Sequence, residues 1–519
     1  MAFRESGISP NTEFPDVNQE ELRELLEDAI SKASRLEAQI APLQSIYTGL
    51  LEAVTYYKAA LAPWKHLPNE LLQRVFLFLP LDHPPCIPFS RRAAPIQVTQ
   101  VCARWREVAF ATPSIWQKFK CPIYLNPDTY RKEDAIAFLN LWISRAGTRP
   151  LSIITPCLLD SSAEEWMEAS PHKFNLIKHI ILPHSSRIGE LTVRLPYYYP
   201  HTGAFLHSSP DFALLEKLVL WYTLPSIGQD EPNALCKNAP RLKHLEFEAP
   251  VDRLIQLNWA TITDVHLRGC HAHIFLSALR EMTTLRHCRA SLYSTMGWET
   301  TDITLPSLLS FDIDMDMHGN PFENVQFIFP KLERLSINIP ERWTHVSTSI
   351  LQYASSLREF HLESRDRRSV RSLRQVLEAS GASKITDLSV KFYPEATLDK
   401  QTLQAIGSGQ ILPQLRNFIC EGPPSIKQLA ELFNKKGFAT LDSNRSLSPT
   451  SSDYKGDQSD VSSVPFERVK ILSCRPRYMT DSRLCEIISQ VGDRLVLEPY
   501  QPPRRPPGLA PEQRSLDID

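Results

Sequence analysis

Two hydrophobic periods run along this chain, one after the other. From Leu22 the apolar positions Leu22, Leu26, Ala29, Ala33, Leu36, Ile40, Leu43, Tyr47, Leu50, Val54, Tyr57 and Leu61 follow in alternating steps of four and three. That spacing keeps one side of a helix apolar and predicts a heptad helix across 16–63. Asp16 and Gln19 stand at capping-box spacing at its start, and Pro63 ends the pattern. Pro42 lies inside and is expected to kink or divide the helix, because it removes a backbone donor and its ring clashes with the preceding turn. The seam admits two outcomes, a helix packed onto its own protein or coiled-coil self-association.

After residue 170 the period changes to apolar-x-x-apolar-x-apolar. The first unit is Ile177-Ile180-Leu182, and later units open at Leu215, Leu242, Ile262, Leu285, Leu308, Leu332, Leu357, Ile385, Leu415 and Phe466. From Leu215 to Leu415 they begin 20 to 30 residues apart, close to the roughly 20–29-residue period of leucine-rich repeats. Intervening stretches such as "HAHIFLSALREM" put Ile274, Phe275, Ala278, Leu279 and Met282 on one helical side. Strands and helices that bury one side only against their neighbours build a solenoid. The expected fold class is α/β (α+β), with helical N-terminal segments before a degenerate leucine-rich-repeat solenoid, a horseshoe, over 171–500.

In such strands the apolar positions turn inward and the alternate positions line an open face. Trp221, Glu246, Asp264, His266, Arg268, Arg289, Asp312, Asp314, Arg334, Glu359, His361 and Asp387 hold alternate positions, and their mixed charges fit a polar protein or peptide ligand. Residues 1–15, the Ser/Asp-rich insert 442–464 with Ser448-Pro449 as a phosphorylation candidate, and the Pro-rich tail 501–519 are expected to be disordered.

Composition excludes several partners. Among 519 residues, 42% are hydrophobic and 22% charged, which is ordinary globular usage. With 57 Lys+Arg against 59 Asp+Glu the net charge of −2 draws the chain neither to nucleic acid nor to a membrane surface. No apolar run approaches the ~18 residues of a membrane span, and the polar N-terminus lacks the core of a signal peptide. The 10 cysteines include no C-x-x-C pair and fit reduced thiols, so a cytoplasmic or nuclear location is expected. "DIDMDMHGNPFE" sets Asp312, Asp314, Asp316, Asn320 and Glu323 at calcium-loop spacing, but Met317 stands where that loop needs glycine. "CHAH" offers Cys270, His271 and His273 without convergent further ligands. With no phosphate loop or nucleophile elbow spelled out, the chain reads as a non-enzyme that needs no cofactor or metal.

Between the two periods stands "HLPNELLQRVFLFLP". Pro68 fits a helix opening, and Leu71, Leu72, Val75, Phe76 and Leu79 follow at helical spacing. A second block carries Val98, Val101, Cys102, Trp105 and Ala109, then Trp116 after Pro113. Two helical pieces this small need further packing or a partner to cover their apolar surface. The stretch resembles an F-box. Leu67-Pro68 match the family's Leu-Pro opening, Glu70 its acidic position, Val75-Phe76 its paired apolar positions and Leu79 its closing leucine. Val101, Cys102 and Trp105 match its Val-Cys-x-x-Trp signature, and Pro113 with Trp116 its end. The resemblance covers 64–120, with an unusually long connection at 81–95, and is similar to fungal-type F-box proteins that carry a preceding heptad helix.

The resemblance implies a substrate-recognition subunit of an SCF-type ubiquitin ligase. A Skp-type adaptor, and through it a cullin, would be held by Leu67, Pro68, Glu70, Leu71, Val75, Phe76, Leu79, Val101, Cys102, Trp105 and Trp116. For Phe76 and Trp105 a place in the small internal core is the competing role. Segment 121–170 would be linker or the start of the array, and the array would choose a protein substrate for ubiquitin-dependent degradation. The alternative is an F-box/leucine-rich-repeat scaffold acting without ubiquitin transfer.

Overall fold

The computed structural model describes residues 19–79, 84–86, 93–123, 131–156, 175–194, 208–221, 237–251, 257–293, 301–315, 322, 325–338, 343–364, 373–378, 380–392, 398–421, 424–435, 465–474 and 479–499. The segments expected to be disordered, 1–15, 442–464 and 501–519, lie outside these residues, as does Asp16. The chain divides into two compact units, Met1–Phe78 and Leu79–Asp519. Among the described residues no helix is long and apolar enough to cross a membrane.

The described part of the first unit starts with one helix, Gln19–Ala60, which runs through Pro42 unbroken. The expected division there does not occur. One proline costs a helix about 3 kcal/mol, and the long Ala-, Leu- and Glu-rich flanks propagate helix cooperatively on both sides of it. No residue of this helix is buried. Among the described residues of this unit, a short 3-10 turn, Pro63–His66, and the helix Asn69–Leu77 follow. Pro68 stands just before that last helix, where its carbonyl accepts the N–H groups of Leu71 and Leu72 at 3.1 Å each.

Among the described residues the helices of the second unit start with Ala94–Val101 and Ala103–Phe110, followed by the 3-10 turn Pro113–Trp116. The strands follow: β1 Lys118–Lys120, β2 Leu151–Ile154, β3 Ile188–Arg194, β4 Lys217–Trp221, β5 His244–Val251, β6 Asp264–His271, β7 His287–Tyr293, β8 Thr301–Thr304, β9 Ser310–Met315, β10 Val325–Ile328, β11 Arg334–Asn338, β12 Glu359–Ser364, β13 Asp387–Phe392, β14 Asn417–Glu421, β15 Arg468–Cys474 and β16 Leu495–Pro499. All but β8 and β10 form one 14-stranded sheet in sequence order, with every pairing parallel. Such a sheet fits a repeat solenoid.

One apolar ladder threads all 14 strands in register: Phe119, Ile153, Leu191, Leu218, Leu245, Val265, Cys288, Phe311, Leu335, Phe360, Leu388, Phe418, Val469 and Leu495. Each of these side chains is buried. Ten of them, from Leu218 to Val469, are the middle positions of the sequence triplets. The first triplet position closes a turn just before its strand: Leu215, Leu242, Leu285, Leu308, Leu332, Leu357, Ile385 and Leu415 each donate a backbone N–H to the residue three earlier. The carbonyl just ahead of many strands then accepts two N–H groups from the next repeat, as Glu216 does from Lys243 and His244 at 3.0 Å each.

One triplet behaves otherwise. Ile177-Ile180-Leu182 lies across a π-helical turn, Ile177–Ile181, whose Ile177, Ile180 and Ile181 are buried together. The strand of that repeat is β3, formed by the later triplet Ile188-Leu191-Val193. The sheet also starts earlier than 171, since β1 and β2 fall within 118–154.

Helices fill many of the connections, including Lys132–Arg145, Ala272–Glu281, Trp343–Tyr353, Lys400–Gly407, Ile426–Lys435 and Ser482–Val491. Around β9 the separate parallel pair of β8 and β10 takes their place. The connection 81–95 is described at 84–86 and 93–95. Its Pro84 is buried, its Pro85 carbonyl accepts the Lys120 N–H at 2.7 Å, and Cys86 bridges to Lys120 beside β1.

Because the ladder is the core of the second unit, Phe360→Ala should destabilise it by about 3–5 kcal/mol. Denaturant unfolding of the full chain, followed by far-ultraviolet circular dichroism, checks this; a loss below about 1 kcal/mol would contradict a ladder-based core.

Candidate protein-interaction sites

The side chains alternating with the ladder share the opposite face of the sheet. Strand register sorts them into three rows. One row contains His244, Asp264, His287, Arg334, Glu359 and Asp387; the middle row contains Val219, Glu246, His266, Arg289, Asp312 and His361; the third contains Arg194, Trp221, Glu248, Arg268, Asp314 and Asn338. All twelve sequence-expected ligand residues fall on this face. Arg194 and His244 were not among them.

A shallow depression of about 320 Å³ opens at the middle row, with Val219 in its lining beside Glu246, His266, Arg289 and Asp312. Several charges on this face are matched with one another. Arg289 Nε donates to Asp312 Oδ2 at 2.9 Å, and His244 Nδ1 lies 3.1 Å from Asp264 Oδ2. Arg268 Nε donates to His266 Nε2 at 3.0 Å while its Nη1 donates to Glu248 Oε2 at 3.3 Å. Arginine has only donors, so Nε2 is the accepting nitrogen and the ring proton sits on Nδ1, 3.5 Å from Glu246 Oε1. Burial and then the Arg268 cation lower the pKa of His266, against the opposing pull of Glu246. Trp221 extends the site with an aromatic surface, the guanidinium of Arg194 lying 3.6 Å and that of Arg268 5.4 Å from its ring centroid.

The acidic run read against a calcium loop is a strand. Phe311, Ile313 and Met315 are buried, whereas Asp314 Oδ1 accepts from Asn338 Nδ2 at 2.8 Å and Asp312 holds Arg289. Asp316, Asn320 and Glu323 lie outside the described residues. Among the described residues no cluster of three His, Cys, Asp or Glu side chains is placed to hold a metal. Burial pushes the thiols of Cys270 and Cys420 up to about 12 and raises those of Cys121 and Cys288 as well. Thiols so far from ionisation are poor nucleophiles.

The helix Asn69–Leu77 carries two apolar stripes side by side. Leu72 and Phe76 form the buried one. The other follows the spacing of Leu71, Val75 and Phe78, which are 43%, 48% and 88% exposed. In the second unit, Val101 ends its helix 50% exposed, and Cys102 then takes the extended conformation (φ −160°, ψ 170°). That residue closes one helix and caps the next, its Sγ accepting the Trp105 N–H at 3.4 Å. Trp116 is fully buried; its indole N–H donates to the Ala109 carbonyl at 2.8 Å, and its ring meets Trp142 edge-on at 4.7 Å between centroids. The Arg145 guanidinium lies over Phe110 and Trp116 at 4.4 and 4.8 Å.

Residues 64–122 match the F-box-like family model. F-box/LRR-repeat protein 21 of Bos taurus is 34% identical over 76 residues, which make up 15% of this chain and 15% of the relative's length. The signature positions of the F-box-like domain therefore divide by burial. Pro68, Glu70, Leu71, Val75 and Val101 are exposed, and Leu67, Leu79, Cys102 and Trp105 are half-buried. Phe76 and Trp116, expected at an adaptor contact, have no exposed surface and are core residues. Phe78 and Phe110 are exposed aromatic residues of the domain that the sequence reading passed over. Phe78 was visible from its spacing, three residues after Val75 and seven after Leu71.

The His266 arrangement has a definite pH sign. Folding favours its neutral form, so the stabilising share of this contact is complete above the ordinary histidine value of 6.5 and is lost as pH falls through the lowered folded value. Histidine-selective NMR should find the His266 ring, assigned with His266→Gln, still mostly neutral at a pH where the exposed histidines are charged. A ring that titrates with the exposed histidines would contradict the Arg268–His266 bond.

Proposed function

We propose that this chain is a substrate-recognition subunit of an SCF-type ubiquitin ligase. The observation that carries the reading is the exposed stripe of Leu71, Val75 and Phe78 within residues matching the F-box-like model. A helix with one stripe already buried gains nothing from a second in water, so the second is explained by a partner. The partner is a Skp-type adaptor, through which a cullin is recruited. Apolar and aromatic side chains at the centre of such a contact carry most of its energy.

The second half of the reading is a protein substrate on the strand face of degenerate leucine-rich repeats. Paired charges there favour a ligand that presents both signs, and the Arg194–Trp221 stack offers it an aromatic contact. Catalysis of ubiquitin transfer then belongs to other subunits. The chain itself contributes binding and positioning.

The full-length protein should co-purify with a Skp-type adaptor and a cullin. Leu71→Ala/Val75→Ala/Phe78→Ala, at exposed positions, should weaken the adaptor at least tenfold, roughly the effect of losing one or two hot-spot side chains, without changing the far-ultraviolet dichroism of the repeat sheet. Unchanged adaptor affinity would overturn the docking assignment, and adaptor capture without cullin would turn the reading towards a scaffold.

A further inference from the structure

The long N-terminal helix is left uncovered. No residue of Gln19–Ala60 is buried, and its large apolar side chains from Leu22 to Tyr57 are exposed to water. Contiguous apolar surface of this length on a single helix is unfavourable and calls for a partner. The heptad frame identifies one. With Leu26, Ala33, Ile40, Tyr47 and Val54 at the a positions, the d positions are Leu22, Ala29, Leu36, Leu43, Leu50 and Tyr57. Leucine dominates d and β-branched residues occupy two a positions, the combination that favours two parallel strands.

The flanking positions decide orientation. In a parallel, in-register pair each g residue meets the e residue five places later on the other helix. Lys32 then meets Glu37, Gln39 meets Gln44, Leu25 meets Ile30 and Ile46 meets Leu51. Opposite charges, paired amides and paired aliphatics fall together in these four, and the fifth pair, Ala53 with Lys58, adds no like-charge contact. An antiparallel pair of the same overlap would set Arg23 against Lys58, Gln39 against Ile46 and Lys32 against Ala53. The two helix-weakening residues, Pro42 and Gly49, both occupy c positions on the outer side. A Cβ at Gly49 would meet nothing within 4 Å, consistent with an outward place. We propose that Gln19–Ala60 forms a parallel, in-register two-stranded coiled coil with a second copy of this chain. Each assembly would then carry two F-box-like domains and two strand faces. The inference rests on the helix alone and stands whether or not the domain docks an adaptor.

Light scattering on the full-length protein should return twice the mass of one chain, and Leu36→Glu/Leu50→Glu should return one chain with the dichroism of the sheet retained. Lys32→Glu should weaken the dimer about tenfold by setting two like-charge pairs across the seam, and Lys32→Glu/Glu37→Lys should recover most of that loss. The Lys32–Asp28 ion pair at 2.5 Å within one helix is lost in both variants, so recovery reads the contact between helices. Leu22→Cys, oxidised, should cross-link the two chains. A one-chain or three-chain mass for the unaltered protein would overturn the proposal. So would a dimer that survives Leu36→Glu/Leu50→Glu, or one in which Leu22→Cys fails to cross-link.

Discussion

The constraint on which the second unit depends is the register of a single apolar column. From Phe119 to Leu495 each strand of the sheet contributes one buried side chain to it, directly beside the same position of its neighbours. A parallel sheet that slipped by one residue would turn this column out to solvent and the charged rows inward, so burial fixes the register of every strand at once. The ion pairs on the open face do not share that task. Exposed pairs of this kind contribute about 0–1 kcal/mol each, and the fold would survive their rearrangement. The face is thus free to be shaped for recognition while the column behind it holds the frame.

Within the second unit Trp116 joins the F-box-like domain to the array. Trp116 ends the domain's signature, and Trp116-Phe119-Cys121 has the spacing of the repeat triplets that follow. Its indole bonds back to Ala109, its ring packs on Trp142 of the first helix after β1, and β1 begins two residues later. Cys102 plays a smaller part of the same kind. A sulfur at the N-cap is a weak acceptor, yet it satisfies one of the orphan N–H groups of the second helix while the extended backbone turns the chain between the two. The signature residues that look most like contacts in the sequence therefore include some that build the domain's interior.

How much could be read beforehand varied with the physics of each element. Ten of the eleven triplets fall on strands because their middle and last residues are buried in a strand and in little else. Ile177-Ile180-Leu182 misled because Ile181 completes a helical i, i+3, i+4 set, which a helical turn buries as well as a strand would. β1, β2 and β16 went unread. Their first triplet position is a tryptophan already counted with the F-box, a proline at Pro150 or a glycine at Gly492, so the pattern loses its opening. The polar row residues were identified by alternation, but their pairing was not, since Glu246, His266 and Arg268 meet only once two strands some 20 residues apart are brought into register. Pro42 was overestimated because a local cost was weighed without the length of helix around it.

The long connection before the second helix of the F-box-like domain has a consequence for the sheet. An array of parallel strands has no natural stopping point, and its outermost strand offers unpaired N–H and C=O groups to any extended chain that arrives. On the β1 side that place is taken by the chain's own Pro84–Cys86, which bonds to Lys120. At the far side β16 runs out at Pro499, a residue with no N–H to offer. The insertion thus acts as the end group of a polymer, closing on one side a stack that could otherwise go on recruiting strands.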